Sequence, residues 1–591
     1  MTIARQGIWL CPECNNHEAW KTRDEETKQI DRKCSHCNKR ARVTLDRSDT
    51  GKGRKRNFQI WERDLSISFK EIIEEARRRN RNYSREINTS IINPLTKEKS
   101  SQEELPPIWG AKWKPKKPLA FTKKMSEIRA RKEILRFVAE RHDGYLEFVL
   151  KEWMNMNPPS EFNGDTFHKF SIMFCDKISD SLKERLWTPD LALIGDDEII
   201  PRRKSELYLG RRNIRFLRDL SLCLRRIAYL SSVDLDTHLQ WQRWMTRTRA
   251  IDEHLKDLFT NGISTPDGGT FGGKGFRSTW QEGIVGCATS LTRAIDLPVE
   301  EKFRADIIAP MIRDVGLALA VGQTPLEIFA AQMGKSGSYM DGGNLDSGGR
   351  DLHIGNWEKG VLPPTAPLPI ASATATGVAL AANLLDIDRF HLAPVGEGTS
   401  SNGEFWEAMN LAGARGLPIA FMIQNNQIAL DTFTVGQSGA ETFGDKGYAM
   451  GIPSWSIDGS DPLQFHASTA TSREYALDGG GATLIHVETM RGCGHAHHHD
   501  DLYLGSVTGN PPGYVGRDLL TYWAEKDPLP THRKYCISLG ANEKQLAMME
   551  KEEQYYVDNA REEMEMMPWP EGNTVTQGVT SRHNADSHTQ Q

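Results

Sequence analysis

Long apolar runs are missing from this chain. No stretch approaches the roughly eighteen residues that a membrane-spanning helix needs. The opening residues, Met1 to Trp9, are too few and too weakly apolar for a secretory h-region, so the cytoplasm is the expected compartment. Strong charge of one sign is lacking too. A formal net charge of −5 argues against electrostatic capture of nucleic acid by the chain as a whole. Cysteine is sparse, nine residues in 591, and four of the nine stand in two close pairs near the start. That usage suits a reduced compartment with one metal site better than a disulfide framework. Glycine is scarce in one part only: the first 250 residues hold eight of the 50.

The residues that are present divide accordingly. At 38% hydrophobic and 26% charged, the chain is globular in composition. Glycine-poor, charge-rich sequence favours helices and linkers, whereas glycine-rich sequence suits tight turns and close backbone approach to a ligand. The chain thus splits into three regions: a small cysteine module over 1–50, a basic, mostly helical extension over 51–235, and a glycine-rich domain over 236–591. In the extension, Met125–Glu152 and Leu207–Leu230 show helical apolar spacing, and the proline- and lysine-rich Lys112–Lys124 reads as a linker.

The C-terminal region alternates strand and helix. Phe390–Val395 predicts a strand, Glu404–Arg415 a helix and Pro418–Ile423 a second strand. Ser456–Asp458 predicts a third strand, Asp461–Leu477 a helix and Ala482–Met490 a last strand. The fold class is therefore α/β, a parallel sheet with helices on both faces. Ligands bind beyond the carboxyl ends of such strands. Three loops stand there: Gly396–Thr399, Gln424–Ile428 and Gly492–Asp501.

In the first two loops a carboxylate, Glu397, and a carboxamide, Asn426, end neighbouring strands. Oxygen donors of that kind suit magnesium or calcium, ions that also take phosphate oxygens and water. Gly396 and Gly398 let backbone N–H groups approach a phosphate, and the next helix favours negative charge at its start.

The full stretch, GEGTSSNGEFWEAMNLAGARGLPIAFMIQNN, resembles the signature of thiamine-diphosphate enzymes. Its wording is similar to that of the alpha subunit of the dehydrogenase component in 2-oxo acid dehydrogenase complexes of the pyruvate and branched-chain type. The resemblance extends over Leu239–Gly262, Phe276–Gly286 (which looks like the start of the family's next helix), Ile312–Gly322 and Ala366–Gly377. It implies a thiamine-diphosphate-binding fold in which Glu397, Asn426 and the Ile428 carbonyl hold magnesium. Arg313 would grip the diphosphate with Gly396, Gly398 and Thr399, and Leu368 would prop the cofactor in its bent form. Glu397 stands where Asp is usual, Ile428 where an aromatic is usual, and Ile312 where a tyrosine is usual. The first of these, with Ala366-Pro367-Leu368, leans towards the branched-chain side.

His353, in GGRDLHIGN, and His495, in RGCGHAHHHDD, match two positions of active-site histidines in that family. Decarboxylation and acyl transfer need proton donors and oxyanion stabilisers that titrate near neutrality. His495 to Asp501 could alternatively chelate zinc or form a polar surface loop, and the roles of His497, His498 and His499 stay open. Ala496 replaces the serine that the family's regulated members phosphorylate. The resemblance also implies partners: a beta subunit that supplies the glutamate activating the cofactor's aminopyrimidine, in an α₂β₂ assembly, and a lipoyl-bearing acyltransferase. The chain ends within the alpha pattern, so that glutamate is expected on another polypeptide.

At the N-terminus, Cys11-Pro-Glu-Cys14 and Cys34-Ser-His-Cys37 form a zinc-ribbon pattern with a structural zinc. The basic Arg40–Arg56 and the nearby Trp9 and Trp20 leave RNA contact open beside a plain docking or folding role. Two functions compete. One is a 2-oxo acid dehydrogenase alpha subunit; the other is an adaptor with a degenerate cofactor domain acting through its ribbon. An intact set of Glu397, Asn426, Arg313, His353 and His495 favours the enzyme.

Overall fold

Apolar strands bounded by glycine and asparagine assemble one sheet at the centre of the computed structural model. The structure describes residues 5–10, 17–22, 29–33, 40–44, 108–111, 113–185, 198–201, 203–341, 351–496, 499–506 and 512–572. Two compact units result, Met1–Arg85 and Glu86–Gln591. In the first, Arg5–Leu10 pairs antiparallel with His17–Thr22, and Gln29–Lys33 with Arg40–Thr44. Cys11, Cys14, Cys34 and Cys37 lie outside the described residues.

In the second unit the sheet has five parallel strands: β1 (Ile307–Ile308), β2 (His391–Gly396), β3 (Ile419–Asn425), β4 (Ser454–Asp458) and β5 (Thr483–Glu488). Their order is β1-β2-β3-β5-β4. β2 and β3 are buried along their whole length, which explains why they read as continuous apolar runs rather than alternating ones. One face carries Ala393, Val395, Phe421 and Ile423 against two helices, Ile370–Leu384 and Gly403–Arg415, through Ala375, Ala379, Phe405 and Met409. The helix Pro462–Tyr475, started by Asp461, whose carboxylate accepts from Leu463 N–H, also packs on β3. Truncating a fully buried aromatic such as Phe421 to Ala costs about 3–5 kcal/mol in cores of this kind.

Upstream helices join the same unit. Glu127–Arg141 ends at His142, whose ring is held by buried Asp219 at 3.0 Å, and a new helix runs Leu146–Asn155. The helical spacing read over Met125–Glu152 is thus carried by two helices. Ser205–Tyr229 packs on Pro462–Tyr475, tied by Arg225 Nε to Glu474 at 2.7 Å and by Tyr229 Oη to Glu474 at 2.8 Å. Leu235–Asn261 packs on the C-terminal Glu543–Met566, and Arg247 and Arg243 both pair with buried Glu553. Among the described residues no helix is long and apolar enough to cross a membrane.

Candidate active site

The strand register brings the two signature loops together. Gly396 lies opposite Gln424, and Asn425 opposite Glu488, so Glu397 and Asn426 leave adjacent strands at the same sheet end. Both side chains are almost fully buried, and Ile428 with them. Glu397 accepts from the Asn426 backbone N–H at 3.4 Å. Oriented to suit its neighbours, the Asn426 carboxamide turns its oxygen to Arg313 Nη1 and its nitrogen to the Ile428 carbonyl, both at 3.1 Å. Gln281 approaches the same carboxamide at 3.0 Å.

Arg313 reaches the strand ends from the turn before Val315–Val321, with Nη2 3.5 Å from the Gln424 carbonyl. Burial depresses its pKa, and the nearby Glu397 opposes that shift. Its Nε has no partner. Arg491, at the end of β5, is buried as well. Tyr514 Oη accepts from it at 2.9 Å, the Tyr503 ring lies 4.7 Å from its guanidinium carbon, and its Nε and Nη1 are unpartnered. Buried N–H groups without acceptors cost about 1–3 kcal/mol each, more when charged. Two guanidiniums with donors to spare beside one carboxylate therefore suit a multiply charged anion.

The turn after β2, which brings Gly396 near Arg313, is built for close approach. A Cβ placed on Gly398 would meet the Ala429 methyl at 2.6 Å. Ser400 Oγ donates to the Glu397 carbonyl at 2.6 Å and fixes the turn. Asn402 then enters the helix Gly403–Arg415 in extended conformation and donates from its side chain to the Leu368 carbonyl at 2.8 Å. The Leu368 side chain itself is half exposed. Thr399 begins a short 3-10 turn that ends at Ser401.

The two histidines both meet one segment, through Lys274 and Phe276. His353 is buried, with Nδ1 2.7 Å from Asp351 Oδ1 and Nε2 2.8 Å from Lys274 Nζ. His495 packs edge-on against the Phe276 ring at 5.2 Å, and Phe276 bridges to Ala496 as an isolated antiparallel pair. His499 lies just before the short helix Asp500–Leu504, whereas His497 and His498 fall outside the described residues. Along Lys274–Gln281 the chain touches four predicted site groups in turn: Lys274 meets His353, Phe276 meets His495, Ser278 donates to the Arg313 carbonyl, and Gln281 meets Asn426. Sequence reasoning took Phe276–Gly286 for the start of a helix. The part up to Gln281 is not helical, and it leads into a 3-10 helix, Glu282–Ser290.

The Dehydrogenase E1 component family model matches residues 293–572. Over 280 residues the chain is 30% identical to the pyruvate dehydrogenase E1 component subunit alpha of Staphylococcus aureus, covering 47% of this chain and 67% of that one. The chain belongs to the dehydrogenase E1 family. It is an E1 alpha subunit of the pyruvate or branched-chain type. Similarity to the 2-oxoisovalerate dehydrogenase subunit alpha of Bacillus subtilis is 28% over 287 residues, 48% of this chain and 79% of the relative. A shorter match, 37% over 169 residues, covers 29% of this chain and 42% of a Bacillus subtilis pyruvate dehydrogenase E1 alpha subunit.

The E1 family implies thiamine diphosphate and magnesium, and the residues present fit both. The donor set is one carboxylate, one carboxamide and one backbone carbonyl, all hard oxygens suited to magnesium. Among the described residues no three His, Cys, Asp or Glu side chains cluster as a metal centre of another kind. The unpartnered N–H groups of Arg313 and Arg491 suit a diphosphate.

Proposed function

We propose that this E1 alpha chain carries out thiamine-diphosphate- and magnesium-dependent oxidative decarboxylation of a 2-oxo acid, passing the acyl group to lipoamide on a partner acyltransferase. When bound, the cofactor supplies the electron sink that decarboxylation requires. The chain's own residues hold and orient. Glu397, Asn426 and the Ile428 carbonyl take the metal; Arg313, Gly396, Gly398 and Thr399, joined by Arg491, take the diphosphate; Leu368 supports the ring system. His353 and His495 supply proton donors and oxyanion stabilisers on the substrate side.

The observation that carries this reading is the convergence of Glu397, Asn426 and Ile428 with two guanidiniums whose donors are unused. An adaptor with a degenerate cofactor domain has no use for buried, unsatisfied cations. Glu397 in this chain leans the substrate towards the branched-chain side. The assembly is α₂β₂ with a beta subunit, located in the cytoplasm. The test is decarboxylation of pyruvate and 3-methyl-2-oxobutanoate by the chain assembled with its beta partner, read with an artificial electron acceptor. Absence of turnover with both acids, in a preparation that binds the cofactor, would remove the dehydrogenase reading.

A second reading concerns the N-terminal unit, which we assign as a zinc ribbon. Two antiparallel hairpins each join their strands through a Cys-x-x-Cys pair in the sequence, Cys11 with Cys14 and Cys34 with Cys37. Four thiolates in two such sequence pairs can close a tetrahedral zinc site and stabilise a unit too small for a core of its own.

A further inference from the structure

Lys274 meets His353, one of the two histidines that the E1 reading puts on the substrate side, and that reading has assigned no cation there. Its ammonium carries three donors, of which one is spent on His353 Nε2 at 2.8 Å. Among the described residues no carboxylate pairs with it within 4 Å. The ring it meets is held from the other side by Asp351, at 2.7 Å from Nδ1. Nε2 faces the lysine, which can donate to it, while Nδ1 lies close to the Asp351 carboxylate without a hydrogen bond of its own. With one donor on His353 Nε2, the ammonium keeps two N–H groups that can meet a carboxylate. The backbone is fixed as well: Lys274 N–H donates to the Gln332 carbonyl at 3.0 Å, and a Cβ on Gly273, in left-handed backbone at φ 70°, would meet Met333 Sδ at 2.5 Å. Two residues on, Phe276 packs against His495.

We propose that Lys274 is the residue that binds the carboxylate of the 2-oxo acid, steadied by the His353–Asp351 pair. The proposal rests on the dehydrogenase reading and deepens it by giving the substrate end of the site its cation. A compact, rotatable ammonium suits this task because the bound carboxylate leaves as carbon dioxide and must not be gripped in a bidentate fork. Lys274 then acts chiefly on substrate binding and His353 on orientation. No electron or proton balance is altered: the ammonium donates hydrogen bonds and keeps its protons.

The experiment uses the assembled enzyme and the variants Lys274→Met and Lys274→Arg. Affinity for oxamate, an unreactive isostere of a small 2-oxo acid, is read from tryptophan fluorescence, which Trp280 in the same segment should report. Wild type should bind, the Met variant should bind at least about tenfold more weakly, and the Arg variant should recover part of the loss. KM for pyruvate should rise by a similar factor while kcat changes less than about threefold. Cofactor affinity by calorimetry should stay at the wild-type value in both variants, which a merely structural role would not give. Equal oxamate affinity in wild type and the Met variant, or no oxamate binding by wild type, overturns the proposal. Loss of oxamate binding in the Met variant, with no turnover of any 2-oxo acid by wild type, would instead sustain the Lys274 site and remove the dehydrogenase reading.

Discussion

Lys446 Nζ donates to both the carbonyl and the hydroxyl of Ser400, at 2.8 and 2.7 Å, and the Ser400 hydroxyl in turn donates to the Glu397 carbonyl. A buried lysine, packed near the Trp406 and Phe443 rings, thus braces the turn that carries Glu397, the proposed metal carboxylate. Burial lowers its pKa to about 8, so the charge is held at some cost. Lys446→Met removes both donors and leaves the Ser400 oxygens unsatisfied, which should cost about 1–3 kcal/mol. Thermal unfolding should fall by a few degrees, and calorimetry should show weaker cofactor binding. A variant with wild-type melting and wild-type cofactor affinity would show that the turn holds itself.

Removing the metal donors should be more selective. Glu397→Ala and Asn426→Ala should abolish the dependence of cofactor binding on divalent ion, because the diphosphate charge loses its partner at a strand end lined with carbonyls. Stability should change little beyond the local loss, since neither side chain belongs to the apolar core. Calorimetric titration of thiamine diphosphate with and without magnesium, in the presence of the beta chain, gives the answer. Wild-type affinity in both variants would sink the assignment.

The legible part of the sequence was local. Strand ends, their glycine and asparagine turns, and the helices after them announce themselves within about 30 residues, and Glu397 and Asn426 were found that way. Arg491, Gln281 and Lys274 were not, because each takes its place through a partner distant in the chain, such as His353 for Lys274. The 3-10 helix Glu282–Ser290 was also hidden. Gly283 and Gly286 press their backbones against carbonyls of Gly459 and Pro462, where an added Cβ would come within 2.7 and 2.0 Å, and that tertiary approach sets the local winding. The break at His142 has the same origin, a ring drawn aside by Asp219 from another helix.

A buried histidine pair predicts acid sensitivity. His238 Nδ1 lies 3.1 Å from His532 Nε2, and His532 Nδ1 lies 3.0 Å from Gln242 Oε1, a chain that works with both rings neutral. Burial lowers the pKa of His238 to about 4 and that of His532 to about 3. The unfolded chain takes up these protons below about pH 6.5, while the folded one refuses them until about pH 3–4. Stability should therefore fall as pH drops through that window, by on the order of 3–5 kcal/mol per ring. Melting curves between about pH 7 and 4 should show the slope, and His532→Gln should reduce it. An unchanged slope in that variant would place the acid sensitivity elsewhere.

Elemental analysis should find about one zinc per chain, from four thiolates of a closed site. The double variant Cys11→Ser, Cys14→Ser should lose it and keep cofactor binding, because the N-terminal residues 1–85 and the sheet belong to separate compact units. Zinc that persisted in this variant and disappeared on replacing His497, His498 and His499 would move the metal to the histidine loop.

The chain by itself should be inactive. On the proposed reading, Glu397, Asn426 and Ile428 take the metal and Arg313 and Arg491 the diphosphate end of the cofactor. The opposite end, an aminopyrimidine, needs a carboxylate to move protons within the ring. The family resemblance puts that glutamate on the beta subunit, and two carboxylates near this site are otherwise engaged. Glu488 accepts from Asn425 and Gln427, and Glu282 is buried against Arg249. Neither is free to face a cofactor ring. The active site should therefore lie at an interface between unlike chains, in an assembly of closed symmetry. Purified with its beta chain, the protein should turn over a 2-oxo acid with an artificial electron acceptor; alone, it should fall at least about a thousandfold short, the order expected when an essential proton-transfer group is missing. Robust turnover by the isolated chain would mean that a carboxylate of this polypeptide serves the ring. Glu→Gln replacement at Glu488 and Glu282, compared by turnover, would then find it.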